Sequence, residues 1–170
     1  MKEPNKTKIA LVNPPLNIRH PQLPPLGLMY LAAILDQNGY EVKIMECPVN
    51  KINHEQLKTE LSSFGPDLIG ISSITPTVNS ALQSARVAKE ACPDTKVIMG
   101  GPHTTFLDKE LLSQEAAVDI VVRGEGEQTL LELAQHLLNS EKLNDINGIT
   151  FRNSNGQIIE DMVCKNLSTR

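Results

Sequence analysis

Apolar residues gather in five short runs that end near turn residues, and the longer segments between them repeat apolar positions at steps of three and four. The runs Lys8–Asn13, Glu41–Met45, Asp67–Ser72, Lys96–Gly100 and Ile120–Arg123 read as strands, and the alternation is that of a parallel sheet covered by helices. The third and fourth runs, with LIGI and VIM at their centres, are almost unbroken, as strands buried on both faces require. Between them Val78, Ala81, Leu82, Ala85, Ala88 and Cys92 mark one face of a helix whose alanines let it lie close to the sheet. Leu130, Leu131, Ala134, Leu137 and Leu138 repeat the pattern after the fifth strand. A more polar helix is expected over Asn53–Phe64 and a short one over residues 108–116.

The first helical segment differs, because Leu26, Leu28–Leu35 and the residues between them are apolar all round the cylinder until Asp36. Such a helix is normally covered on every side. Either its own neighbours and the proline-rich loop before it provide that cover, or a partner surface does. Residues 149–160 change character again: Ile149–Arg152 and Gln157–Glu160 flank Asn153-Ser154-Asn155-Gly156, a hairpin signal. The expected division is therefore a domain over 7–148 and a hairpin and connector over 149–170. Right-handed crossovers on five parallel strands give a doubly wound α/β sheet, Rossmann- or flavodoxin-like, with strand order 2-1-3-4-5 and a C-terminal β-hairpin. In that topology ligands meet the loops at the carboxyl ends of the strands.

Length and charge narrow the choice of function. At 170 residues the chain is too short for an eight-unit βα barrel, and its formal charge of −4 provides no net attraction for nucleic acid. No run approaches the length of a membrane span, and the polar start MKEPNKTK is followed by no signal-like apolar stretch, so a cytoplasmic location is expected. Cys47, Cys92 and Cys164 are scattered and form no C-x-x-C pair, which suits free thiols in a reducing compartment.

The loops exclude several chemistries. The first strand runs into Asn13-Pro14-Pro15, where a dinucleotide fold needs G-x-G-x-x-G and its exposed amides; proline has no amide hydrogen. No G-x-x-x-x-G-K-[ST] is present. The third strand ends in Ser72-Ser73-Ile74-Thr75-Pro76-Thr77, with hydroxyls where a magnesium-dependent phosphoacceptor needs carboxylates. Ser72, Ser73, Thr75 and Thr77 suit a neutral or amide-bearing ligand or a nucleotide tail, although one or two of them can be spent capping the next helix. Gly100 and Gly101 permit a turn or close approach to a ligand, and His103 beside them is a ligand donor, an acid or base, or a satisfied loop histidine. In Gly124-Glu125-Gly126-Glu127 the two carboxylates would repel a phosphate and favour hydroxyl or amide guests. A hydrolase or transferase built on His103 with Glu125 or Glu127 lacks a nucleophile, since no G-x-S-x-G elbow occurs.

The proline-rich first loop, P-P-L-G-L-x-Y-L-A-A-x-L (24–35), S-S-x-T-P-T (72–77), G-G-P-H (100–103) and V-V-x-G-E-G-E-x-T-L (121–130), taken in order, resemble the amino-terminal cobalamin-binding domain of cobalamin-dependent radical S-adenosylmethionine enzymes. The likeness covers about residues 7–160 and is greatest to the group containing the anaerobic magnesium-protoporphyrin monomethyl ester cyclase. It implies cobalamin, bound base-off and His-off, with Ser72, Ser73, Thr75 and Thr77 toward the nucleotide tail. It also implies Gly100, Gly101, Gly124, Glu125 and Gly126 along the corrin amides, His103 and Glu127 in the same loops, and Asn13, Pro14 and Pro15 shaping the cobalt-side loop. The D-x-H-x-x-G of mutase-type domains, whose histidine ligates cobalt, is reduced here to His20. The C-x-x-x-C-x-x-C of the radical enzymes is absent, so the [4Fe–4S] cluster and S-adenosylmethionine are expected in a separate radical domain, in cis or trans. The chain is then the cobalamin module of a methyltransferase or tetrapyrrole cyclase, catalytically inert by itself. The alternative is a ligand-free flavodoxin-like domain that docks through its apolar first helix.

Overall fold

The computed structural model of the chain describes residues 6–16, 24–138, 143–153 and 155–161. Seven strands form one sheet: β1 (Lys8–Asn13), β2 (Glu41–Glu46), β3 (Leu68–Ser72), β4 (Lys96–Gly100), β5 (Ile120–Val122), β6 (Ile149–Arg152) and β7 (Ile158–Glu160). Their order is β2-β1-β3-β4-β5-β6-β7. The first five are parallel in the expected order. The hairpin does not stand apart from them; β6 runs antiparallel to β5, and β7 to β6, so the hairpin covers the edge that β5 would otherwise expose.

Helices α1 (Leu26–Gln37), α2 (Cys47–Asn50), α3 (His54–Phe64), α4 (Val78–Ala91), α5 (Pro102–Gln114) and α6 (Glu127–Leu138) cover the sheet. The period-two alternation of the strands feeds two cores. Ala10, Val12, Ile69, Ile71, Val97, Met99 and Val121 point to the face of α3, α4 and α5, where they meet Leu57, Leu61, Ala81, Ala85 and Leu112. Ile9, Leu11, Leu68, Ile98, Ile120 and Val122 point to the face of α1 and α6, where they meet Leu28, Leu35, Leu130 and Leu133. Helix α3 starts as its sequence dictates, with Asn53 and Gln56 forming a reciprocal capping box.

Helices α2, which was not expected, and α5 depart from the sequence reading. Helix α5 begins at Pro102, earlier than the expected 108, and is kinked at Leu107, where the backbone is non-helical (φ −127°, ψ 26°). Its first turn carries Pro102, His103, Thr104 and Thr105, which have no apolar periodicity, so only the second half was legible. Helix α1 buries Leu28 and Leu35 but leaves Leu26 63%, Tyr30 64% and Met29 47% exposed. The chain's own described residues therefore cover one side of this helix and not the other.

Arg123 fastens the hairpin to the parallel sheet. Its amide donates to the Gly148 carbonyl (2.8 Å), and its guanidinium donates to Glu160 Oε1 (2.8 Å), to the Ile149 carbonyl (3.3 Å) and to the Asp161 carbonyl. Asp108 Oδ2 lies 3.7 Å from Arg123 Nε and accepts from the Thr150 hydroxyl. Arg123→Met should leave the buried Asp108 with only the Thr150 hydroxyl, while Glu160 keeps its ion pair with Lys109, and should lower stability by about 3 kcal/mol in denaturant titration, an effect that Arg123→Lys should only partly reverse.

Candidate functional site

The sheet carries a cleft of about 400 Å³ at the carboxyl ends of β1, β3, β4 and β5, on the side covered by α1 and α6. Its floor follows from strand register. Leu11, Gly70 and Ile98 are paired across β1, β3 and β4, and two residues further along Ser72, Gly100 and Val122 are paired across β3, β4 and β5. Gly70 and Gly100 lack side chains at diagonal positions of this floor, and the Leu11 side chain lies close over Gly70 while Gly100 leaves its place open. A Cβ on Gly70 would lie 3.0 Å from Leu11 Cδ2. Three helices form the walls through one-turn spacings: Gly27, Leu28 and Leu31 of α1, Pro102, Thr105 and Phe106 of α5, and Gly126, Glu127 and Leu130 at the start of α6. The lining is chiefly aliphatic, with the Ser72 hydroxyl on the floor and Glu125 and Glu127 at the rim.

Of the positions singled out in the sequence, Ser72, Gly100, Gly101, Gly124, Glu125, Gly126 and Glu127 line this cleft. The others lie elsewhere, for identifiable reasons. Ser73 continues the parity of Ile69 and Ile71 and is fully buried, its hydroxyl without a hydrogen-bond partner among the described residues. Thr77 Oγ1 accepts from the Ile74 amide and donates to the Ile74 carbonyl, both at 3.2 Å, which is a capping role. Thr75 Oγ1 is 3.2 Å from His103 Nδ1. His103 borders a smaller hollow between α4 and α5, with Asn79, Glu110 and Gln114. His103 is therefore not brought together with Glu125 or Glu127, and the acid–base arrangement considered from sequence is not assembled. Asn13 Nδ2 donates to both carboxylate oxygens of Glu46 at 2.9 Å, Pro14 is buried, and the Pro15 carbonyl accepts from Ser80 Oγ. His20 and Cys164 lie outside the described residues.

Sequence reasoning missed Gly70, Thr105 and Phe106. A glycine isolated within an apolar strand was the available signal for Gly70. Thr105 joins the two glycine loops of the cleft: its hydroxyl donates to the Gly101 carbonyl (3.0 Å) and accepts from the Gly124 amide (3.1 Å). Gly101 itself adopts φ +118°, and a Cβ there would fall 2.4 Å from the Ser73 carbonyl oxygen, so only glycine fits.

The donor set suits a large neutral guest with a flat apolar part. Aliphatic walls and a side-chain-free floor accept an aromatic base, a hydroxyl and backbone groups offer hydrogen bonds, and the volume falls within the ~300–1,000 Å³ typical of ligand pockets. Among the described residues no group of three or more His, Cys, Asp or Glu could hold a metal ion.

Residues 18–134 match the family model of the B12 binding domain. The chain belongs to the B12-binding domain family. This B12-binding domain is 31% identical over 140 residues to the anaerobic magnesium-protoporphyrin IX monomethyl ester cyclase of Rubrivivax gelatinosus, covering 80% of the chain and 25% of that protein. It is 33% identical over 156 residues to an uncharacterised methyltransferase of Pyrococcus horikoshii, covering 89% of the chain and 34% of the relative. The chain thus spans about a quarter to a third of these relatives. In fold it matches the radical S-adenosylmethionine methyltransferase TsrM of Kitasatospora setae, solved with cobalamin and a [4Fe–4S] cluster. The TM-score is 0.79 at 21% identity, over 92% of this chain and 29% of that one.

Two predictions follow from the geometry of the domain. Replacing Thr105 by Val removes the acceptor for the Gly124 amide, which should then exchange with solvent about tenfold faster while β3 and β4 keep their protection. Burial, with Glu46 and Glu60 nearby, pushes the Cys47 thiol up to about 12. The thiolate is therefore absent at pH 8, and peptide mapping after iodoacetamide treatment should find Cys47 alkylated only once the chain is unfolded.

Proposed function

We propose that the chain is the cobalamin-binding module of a larger radical S-adenosylmethionine enzyme of methyltransferase or tetrapyrrole-cyclase type, with cobalamin held base-off and its nucleotide tail in the cleft. The observation that carries this reading is the trench lined by Gly70 and Gly100 on one face of the sheet, closed by aliphatic side chains of α1 and α6. A phosphate or dinucleotide site would instead present clustered amides or basic side chains, and the rim here carries Glu125 and Glu127. In this reading Leu28, Leu31, Val122 and Leu130 exclude water from the tail, Ser72 donates to or accepts from it, and the Gly100–Gly101 and Gly124–Gly126 backbones lie against the amide-fringed edge of the macrocycle. Bound cobalamin supplies a cobalt centre able to carry a methyl group. The residues that would act on substrate belong to a radical domain, in cis beyond the hairpin or in trans.

The exposed face of α1, with Leu26, Met29 and Tyr30, supports a protein-docking role as a second reading. That role is compatible with the first and does not account for the trench.

The test is retention of corrin absorption after the purified protein is incubated with hydroxocobalamin and desalted. The unaltered chain should keep the bands at micromolar protein. Gly100→Leu, whose Cβ would meet only ordinary contacts near Val122, should lower retention at least about tenfold with an unchanged far-ultraviolet spectrum. A colourless unaltered chain, or equal retention by the variant, would overturn the assignment.

A further inference from the structure

Helix α5 consists of two differently anchored parts. The part after the kink is fixed to the sheet: Asp108 is buried, accepts from the Thr150 hydroxyl and faces Arg123, while Leu111 and Leu112 enter the core. The turn before the kink, Pro102–Phe106, is tied to the loops around the cleft, with Thr105 Oγ1 accepting from the Gly124 amide and His103 Nδ1 3.2 Å from Thr75 Oγ1. The Gly101 carbonyl accepts from the Thr105 amide (3.1 Å) and from the hydroxyls of Thr104 and Thr105 (both 3.0 Å). The non-helical Leu107 separates these two anchorages, so the first turn follows the cleft and the second follows the sheet.

That first turn directs Phe106 to an unusual place. Phe106 lines the cleft and is nevertheless 83% exposed. A lone exposed phenylalanine is ordinary on a protein surface. On this wall, however, among the described residues of α5 that line the cleft, Pro102, Thr105 and Phe106, it is the single large apolar side chain. Across the cleft stand Leu28 and Leu31 of α1. The two walls are thus unequal: the α1 wall is already packed on the core through Leu28, whereas Phe106 has little of its ring covered.

We infer that Phe106 is a ligand-contact residue, its ring becoming buried against B12 when the cleft is filled. The inference rests on the reading of the cleft as the cobalamin site and adds to it a residue that neither the loop motifs nor the strand register identifies. Because the ring is so exposed in the free chain, its removal leaves the fold intact, which makes the contact separable from stability.

Equilibrium titration with hydroxocobalamin, followed by visible absorption, tests it. Phe106→Ala should weaken binding about tenfold, as expected for losing most of an aromatic burial, while Phe106→Leu should stay close to the unaltered chain. Tyr30→Ala, which removes another exposed aromatic, one that does not line the cleft, should bind as the unaltered chain does. Amide exchange over residues 103–107 should also slow on binding in the unaltered chain, and less so in Phe106→Ala. Unchanged affinity in Phe106→Ala, or equal losses in Phe106→Ala and Tyr30→Ala, would overturn the contact while leaving the cobalamin site standing. Failure of the unaltered chain to bind would overturn both.

Discussion

The alternation of side chains along parallel strands is the constraint on which the site depends. Every second residue of β3 and β4 faces α1 and α6, so replacing two of those residues by glycine hollows one face and leaves the other intact. The opposite face, where Ile69, Ile71, Val97 and Met99 pack, is filled beneath the hollow. A pocket made in this way needs no loop to fold over it. Its depth is set by residues that also hold the strands together, and its specificity falls to the loops above.

Those loops are positioned by a small number of hydrogen bonds. Thr105 spans the loop after β4 and the loop after β5, and Arg123 joins the latter to β6 and β7. The hairpin therefore serves the cleft although it lies far along the chain from the floor. It covers the edge of a three-residue strand, β5, that has little pairing of its own from which to hold a loop in place.

Most of the fold could be read from the chain because its signals are local. Continuous apolar runs marked β3 and β4, the three-and-four spacing of Val78, Ala81, Ala85 and Ala88 marked α4, and N-S-N-G marked the turn before β7. The order of the five parallel strands came from taking the simplest doubly wound arrangement that right-handed crossovers allow. The site was legible only where loop chemistry and location coincide, as at Gly100–Gly101 and Gly124–Gly126. The four hydroxyls after β3 looked equivalent in sequence, yet the pleat turns Ser72 to the cleft and Ser73 away, and Thr77 is occupied by the Ile74 backbone. Phe106 was illegible for another reason: it lies in the part of α5 before the break at Leu107, where no apolar periodicity marks a helix.

Glycine within a strand weakens a sheet, and the domain carries one at the centre of β3, on the floor of the cleft. In thermodynamic terms the free domain is a core with one piece left out. A guest that completes it also stabilises the folded chain, so the persistence of the folded form rises with the guest's free concentration. Scarcity of the cofactor would then be sensed first as a shorter-lived protein, before any change in chemistry.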